Sequence, residues 1–278
     1  LLKELSDKAP GPFNHSLQVA NLAEAAANEI GANTLLVRVG ALYHDIGKLK
    51  NPAYYSENQI GMVSPHDELS PKQSSKIIID HVLDGIIIAQ KNNIPDRVID
   101  FIRTHHGTSL VYFFYKKQEE LNGENINVKD FQYHGPKPFS KETVILMMAD
   151  SVEAASRSLK EKTAENLNQL IDTIIGYQLS QGQFDNANIT LKEISEIKHV
   201  FKQQLANIYH AVEKLDPSWI VATLDGDDWL KHDGVLTRLS AIYQDKSIWM
   251  TYGSWVSDPP GARACICAEF PQEVIKKN

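Results

Sequence analysis

The stretch Tyr43-His44-Asp45-Ile46-Gly47-Lys48 decides the fold of this chain. Apolar residues lead up to it at helical spacing: Leu35, Leu36, Val39 and Leu42. We expect Asn33 to cap this helix and Gly47 to end it just after the His-Asp pair. An imidazole and a carboxylate would then lie at the end of a buried helix, where their burial costs several kcal/mol without a compensating metal ion or partner. Taken alone, the pair is also consistent with a hydrogen-bonded His-Asp pair of purely structural role.

Other chemistry-bearing residues lie at the ends or in the interiors of further predicted helices. These residues are His15, after the breaker cluster Ala9-Pro10-Gly11-Pro12; His81, in an apolar helix beginning at Ser70-Pro71; His105 and His106, at a helix end; and Asp150, inside an apolar helix from about residue 141. A single histidine on such a face is more often a core residue than a ligand. A carboxylate inside an apolar helix is harder to explain as structure, because an unpaired buried charge is costly.

Taken together, these residues have the composition of a metal centre. The candidate ligands are His15, His44, Asp45, His81, His105, His106 and Asp150. Nitrogen and carboxylate ligands suit Mn, Fe or Zn better than Ca or Mg. Seven ligands are too many for one ion and suit two, with Asp45 as the expected bridge. Two ions about 3.5–4 Å apart can hold a bridging hydroxide and neutralise a phosphate, so the pattern predicts a phosphoester hydrolase.

Five sequence blocks in order resemble the HD superfamily of metal-dependent phosphohydrolases. The blocks are Asn14-His15-Ser16-Leu17, the stretch from Tyr43 to Leu49, His81, His105-His106-Gly107-Thr108-Ser109-Leu110, and the segment from Ala149 to Arg157. Within that superfamily they resemble the cytoplasmic domain of the seven-transmembrane HD proteins, which are cyclic-di-AMP phosphodiesterases. The resemblance covers about residues 1 to 213. The cyclic-di-GMP branch carries Gly-Tyr-Pro after its His-His pair, and this chain contains no such block.

The resemblance implies an all-α HD-domain helical bundle that converts cyclic-di-AMP to linear pApA with two divalent metal ions, usually Mn or Fe. One metal would be held by His15, His44, Asp45 and Asp150, and the other by Asp45, His81 and His105. Catalytic roles would fall to Asp45, Lys48 and His106. Substrate would be bound by Lys48, His106 and Arg157, with His106 either a further metal ligand or a phosphate contact. The alternative for Arg157 is a simple ion pair with Glu153 at the rim of the cleft.

Composition limits the class of protein and its partners. Of the 278 residues, 42% are hydrophobic and 23% are charged, which is typical of a globular protein, and the net charge of -7 argues against bulk nucleic-acid binding. No apolar run reaches the length of a transmembrane helix. Two cysteines near the end make a disulfide framework impossible and fit a reducing compartment. The chain does not begin with Met, and we expect a cytoplasmic domain natively attached to the cell membrane through a preceding region.

The composition changes near residue 215, which predicts two domains, residues 1–215 and residues 216–278. Residues 219–224 form a predicted strand, and the acidic turn Asp225-Gly226-Asp227-Asp228 follows it. This short tail of mixed α/β character resembles a fragment of a family-two glycosyltransferase. Because the preceding nucleotide-binding strands are missing, we expect the tail to be non-functional and a sugar transferase to be disfavoured.

Two other functions stay open for the helical domain. It could be an HD phosphohydrolase for another nucleotide, such as a dNTP or an alarmone, with the same metals. It could also be a catalytically silent sensor of cyclic dinucleotides, although all the expected ligands are present. The sequence leaves the oligomeric state open.

Overall fold

The computed structural model describes residues 1–59, 64–122 and 126–213. This part of the chain contains nine α-helices: α1 (Leu2–Lys8), α2 (Pro10–Glu29), α3 (Thr34–Tyr43), α4 (Pro71–Lys91), α5 (Asp96–Thr104), α6 (Tyr112–Asn122), α7 (Lys141–Arg157), α8 (Ala164–Ser180) and α9 (Leu191–Glu213). Short 3-10 turns connect α3 to α4, and another precedes α7. The described residues form no strand beyond an isolated bridge between Leu110 and Gln132. The predicted all-α fold is confirmed.

Helix α7 lies at the centre of the larger hydrophobic core. Every residue from Thr143 to Asp150 is buried, which is the pattern of a helix covered on all sides. Helices α2, α3, α5 and α8 pack around it. A smaller core cluster joins α1, α4 and α5 through residues such as Leu5, Ala89 and Ile102. The apolar surroundings of α7 therefore carry Asp150 into the interior of the molecule.

Several predicted helix boundaries are confirmed by side-chain caps. Asn33 accepts a hydrogen bond from the Leu36 amide at the start of α3, and Ser70 forms a capping box with Gln73 at the start of α4. The predicted break within Ala9 to Pro12 falls at Ala9, between α1 and α2, and α2 begins at Pro10, inside the cluster rather than after it. Proline is well tolerated in a first helical turn, since the N–H that it lacks would be unpaired there.

The expected role of Gly47 also requires correction. Helix α3 ends at Tyr43, before the His-Asp pair, and residues Ile46–Lys50 form a 3-10 turn. A Cβ atom at Gly47 would lie 1.8 Å from the carbonyl oxygen of His81. Glycine is needed here because the turn touches the backbone of α4, rather than because a helix must end. Leu35, predicted to lie on the buried face of α3, is 70% exposed.

The predicted domain boundary at residue 215 and the glycosyltransferase-like tail lie outside the described residues. Among the helices that the structure describes, none is both long and apolar enough to cross a membrane.

Candidate metal centre

Five helices and the turns at their ends deliver the predicted ligands to one place. His15 lies on α2, His81 on α4 and Asp150 on α7. His44 and Asp45 follow the last residue of α3, and His105 and His106 follow that of α5. All of these residues are buried except His106, whose side chain is 25% exposed. The structure therefore brings together all seven residues that the sequence suggested as ligands.

Two groups of ligand residues share no member, and within each group the ligand atoms lie within 4.8 Å of one another; a third group, His44, Asp45 and His105, overlaps both. The first group contains His15, His44 and Asp150, with Asp150 Oδ1 at 2.9 Å from His15 Nε2 and 3.7 Å from His44 Nε2. The second group contains His81, His105 and His106. The first group takes its donors from α2, α7 and the end of α3, and the second takes them from α4 and the end of α5. Three donors is the number that one bound metal ion commonly takes from a protein.

Asp45 lies between the two groups and presents one carboxylate oxygen to each. Its Oδ2 atom is 3.3 Å from His44 Nε2 and 3.7 Å from His15 Nε2. Its Oδ1 atom is 3.4 Å from His81 Nε2 and 3.7 Å from His105 Nε2. A carboxylate oriented in this way can serve two neighbouring cations at once.

Hydrogen bonds fix the histidine rings in the form that binds metal. His44, His81 and His105 each place Nδ1 against the carbonyl oxygen three residues earlier, and for His44 and His105 these distances are 2.6 and 2.8 Å. A carbonyl only accepts, so Nδ1 carries the proton and donates, which leaves the lone pair on Nε2. The Nε2 atoms of His81 and His105 are 3.1 Å apart. Two facing lone pairs at that distance repel unless a cation lies between them.

Buried polar atoms without partners support the same conclusion. Among the described residues, His44 Nε2 and Asp45 Oδ1 are sealed from solvent and have no hydrogen bond, whereas Asp45 Oδ2 lies 2.7 Å from the Lys48 ammonium. Folded proteins rarely leave buried polar atoms unpaired, and such exceptions often mark an ion site. Neutral imidazoles and ionised carboxylates are donors that Mn, Fe and Zn accept. The donor set therefore fits divalent metal ions.

The protonation states agree with a cation site. Burial lowers the pKa of His105 to about 3, with a further contribution from His44 and His81, so this imidazole is neutral at pH 7. Burial opposes charge on Asp45, but His44 and Lys48 outweigh it and hold the pKa of Asp45 well below its usual range. Burial also opposes charge on His44, whereas Asp45 and Asp150 raise its pKa to about 10. Without metal, a proton on His44 supplies the positive charge that the carboxylates require.

A second layer of residues holds the ligands in place. Glu153 accepts a hydrogen bond from His15 Nδ1, and Arg157 Nε lies 3.3 Å from Glu153 Oε2. A carboxylate behind a ligating histidine fixes the orientation of its ring. The Lys48 ammonium lies between Asp45 Oδ2 at 2.7 Å and Glu57 Oε1 at 2.5 Å.

The family of the chain follows from its match to a model of the HD domain, which covers residues 13–155. The chain belongs to the HD domain family. The match begins just before His15 and ends just after Glu153, so it contains all seven ligand residues of this HD domain.

Relatives of this HD domain have known names. The chain is 48% identical over 210 residues to the cyclic-di-AMP phosphodiesterase PgpH of Listeria monocytogenes serotype 1/2a (strain 10403S). The aligned residues make up 76% of this chain and 29% of that protein. It is 45% identical over 211 residues to the cyclic-di-AMP phosphodiesterase PgpH of Bacillus subtilis (strain 168), and this alignment covers 76% of this chain and 30% of that protein. The chain thus spans less than a third of the length of these relatives.

A solved structure shares the fold at the same level of identity. The crystal structure of the L. monocytogenes PgpH HD domain in complex with cyclic-di-AMP matches with a TM-score of 0.73 and 47% identity, over 75% of this chain and 97% of that chain. The fold and the family that the sequence suggested are therefore confirmed. The division of ligands between two metal ions, and the roles of Lys48, His106 and Arg157, stay predictions.

The structure also adds residues that sequence reasoning did not single out. Glu57 pairs with Lys48, Tyr55 lies over that lysine, and Tyr133 stacks on His106 with ring centroids 4.1 Å apart. All three lie on loops or short turns, where no periodic pattern marks an inward-facing side chain. The exposed Arg157 contacts Glu153, which is the rim pairing that the sequence left open.

Proposed function

We propose that this HD domain hydrolyses cyclic-di-AMP to linear pApA with two divalent metal ions, Mn or Fe. The observation that carries the proposal is Asp45, whose two oxygens face two separate groups of histidine-containing donors. The similarity to named cyclic-di-AMP phosphodiesterases over 76% of the chain supports the choice of substrate.

In this proposal His15, His44 and Asp150 hold one ion, His81, His105 and His106 hold the other, and Asp45 serves both. This differs from the expected division in one respect, since His106 joins the second group. When bound, two such ions activate water and neutralise the charge of a phosphodiester. The chain supplies neutral imidazoles, ionised carboxylates and a buried setting in which electrostatic interactions are strong.

Lys48 contributes positive charge at the edge of the centre. Burial opposes this charge, but Asp45 and Glu57 raise the pKa of Lys48 above its usual value, so the ammonium persists at all physiological pH values. A fixed cation beside a phosphate stabilises the charge that develops during hydrolysis. We propose this role for Lys48, a contact with substrate phosphate for His106, and a weaker substrate contact for Arg157 at the rim.

The cellular setting implied by the sequence resemblance is also a proposal. The domain would act on the cytoplasmic side of the cell membrane, attached to it through a region that precedes residue 1. Its small anionic substrate is compatible with the net charge of -7, because the bound cations, rather than the protein surface, would attract the phosphates.

The decisive experiment is a turnover assay on the purified, Mn-loaded chain. Cyclic-di-AMP, cyclic-di-GMP and a panel of dNTPs are compared, and products are separated by chromatography. Selective conversion of cyclic-di-AMP to pApA is the expected result. Preferred turnover of a dNTP would favour the other-nucleotide hydrolase. Tight binding of cyclic-di-AMP with two metals but no turnover would favour the silent sensor.

A further inference from the structure

Two tyrosines lie against His81 in the second histidine group. The ring centroids of Tyr55 and Tyr133 each lie 6.1 Å from that of His81, at interplanar angles of 79° and 86°. Tyr133 also stacks almost parallel on His106, at an angle of 25°. Tyr55 and Tyr133 are only 4% and 8% exposed. Both side chains are thus held against the candidate metal centre by contacts with its ligands.

Neither phenol hydroxyl group has a hydrogen-bond partner within the described part of the protein. A buried tyrosine normally finds a hydrogen-bond partner for its hydroxyl group. Neither Tyr55 nor Tyr133 donates a side-chain hydrogen bond to another described residue, and neither oxygen is among the sealed atoms that lack a partner. A phenol ordinarily keeps its proton at neutral pH, so both hydroxyl groups can donate.

A cation lies close to both Tyr55 and Asp45. The Lys48 ammonium is 5.1 Å from the centroid of the Tyr55 ring and 2.7 Å from Asp45 Oδ2. Asp45 in turn faces His81, the residue against which both tyrosines lie. Two phenol O–H groups without a hydrogen-bond partner among the described residues, together with one ammonium beside the candidate metal pair, form a set of groups suited to an anion with several oxygen acceptors.

We propose that Tyr55 and Tyr133 are substrate-contacting residues whose phenol O–H groups donate hydrogen bonds to oxygens of the phosphodiester. The inference rests on the proposed function, because it assumes that the centre binds a phosphodiester. Negative charge accumulates on the non-bridging oxygens as water attacks the phosphorus, so these hydrogen bonds strengthen in the transition state. The tyrosines would consequently affect kcat more than KM.

The test uses Tyr55→Phe and Tyr133→Phe in the full Mn-loaded chain. Each substitution removes one hydroxyl and keeps the ring, its burial and its contacts with His81 or His106. We expect kcat for cyclic-di-AMP to fall about tenfold or more in each variant, with unchanged metal content and thermal stability. The matched control is Tyr115→Phe, a half-buried tyrosine that packs against Phe131. Wild-type kcat in both active-site variants would overturn the inference.

A sulfur-substituted substrate separates hydrogen bonding from a structural effect. Sulfur accepts hydrogen bonds weakly, so replacing the contacted oxygen in one phosphorothioate diastereomer should slow the wild type. The same replacement should cost less in the variant that lacks the donor, because the interaction is already lost. An equal sulfur penalty in the wild type and in both variants, for both diastereomers, would show that the phenols do not contact these oxygens.

The outcome remains distinguishable from failure of the proposed function. If the wild type does not cleave cyclic-di-AMP, that proposal fails and the variants are compared on bis(p-nitrophenyl) phosphate. If neither compound is cleaved, affinity of the Mn-loaded chains for cyclic-di-AMP replaces turnover as the measurement. Variants indistinguishable from the wild type in the applicable measurement contradict the tyrosine inference.

Discussion

Asp45 can serve two groups of ligands because the backbone leaves the helix just before it. Neighbouring side chains on an α-helix diverge by about 100° and would not share one site. Helix α3, however, ends at Tyr43, and Asp45 has φ -104° and ψ 13° as the chain enters a 3-10 turn. His44 and Asp45 can therefore face the same centre. The Asp45 carboxylate then lies within 3.7 Å of four histidine Nε2 atoms.

Substitution of Asp45→Asn tests the bridging position directly. The amide keeps the shape of the side chain but loses the charge and turns a donor NH₂ towards one ligand group. We expect both metals to bind at least about 100-fold more weakly and turnover to be lost, since altering even an outer-layer partner costs 10–100-fold. Metal content after dialysis and turnover are measured together, with the exposed Asp67→Asn as control. Two retained metals and substantial turnover would exclude Asp45 as the bridge.

At the scale of secondary-structure elements, the centre depends on a close contact between the Ile46–Lys50 turn and helix α4. A Cβ atom at Gly47 would lie 1.8 Å from the His81 carbonyl oxygen and 2.6 Å from the Gly85 amide nitrogen. A Cβ atom at Gly85 would lie 3.2 Å from the Gly47 nitrogen. Two glycines thus let the backbones touch, and this contact sets the distance from Asp45 to His81.

Gly47→Ala should therefore damage both stability and metal binding. Because the added methyl group meets backbone rather than a movable side chain, we expect a loss of about 2 kcal/mol or more in the free energy of unfolding. The control is Gly176→Ala in α8, where a Cβ atom meets nothing within 4 Å. That change should stabilise the protein by about 0.5–1 kcal/mol. Urea unfolding of the metal-free proteins measures the stability change in each of the two variants. Equal stability of Gly47→Ala and the wild type would contradict the proposed contact.

Sequence patterns predicted the elements better than the contacts between them. The caps at Asn33 and Ser70 and the buried Asp150 follow from residue type and local spacing, which act within one helix. Gly47 is needed for its close contact with α4, a helix that begins about 25 residues later in the chain. Because the local pattern contains no sign of that contact, it predicted that Gly47 ends a helix. Tyr133 and Glu57 lie in loops without periodicity. Their inward orientation follows from tertiary packing, for which the sequence contains no local signal.

At the scale of the whole molecule, the buried histidines couple folding to pH in two directions. For His105 the pKa falls from 6.5 to about 3 on folding, so below pH 6.5 the unfolded chain binds a proton that the folded chain does not. This contribution lowers stability as the pH falls from 6.5 towards 3. For His44 the pKa rises from 6.5 to about 10, so its contribution is fully present below pH 6.5 and is lost as the pH rises towards 10.

The metal-free protein should consequently be most stable near pH 6.5. Thermal unfolding in EDTA across pH 4.5 to 9 measures this, and we expect the melting temperature to fall on both sides of a maximum at about pH 6–7. His105→Gln should reduce the decline on the acidic side, because it removes one titrating imidazole. The exposed His199→Gln serves as control. A melting temperature that rises steadily from pH 6.5 to 9 would contradict the assigned charge of His44.

Residues 1–215 should be sufficient for the fold and for turnover. Both hydrophobic clusters and all seven ligand residues, together with Glu57 and Glu153, lie within the described helices and turns before residue 214. A solved HD domain that this chain covers to 97% shares the fold. Removal of residues 216–278 therefore deletes no group to which we assign a role.

We expect kcat/KM for cyclic-di-AMP to stay within about threefold of the full chain, with a similar melting temperature, as is usual for changes remote from packed or catalytic groups. A large loss of turnover at unchanged melting temperature would instead assign part of the substrate cleft to the tail, and a loss of both would assign it part of the core.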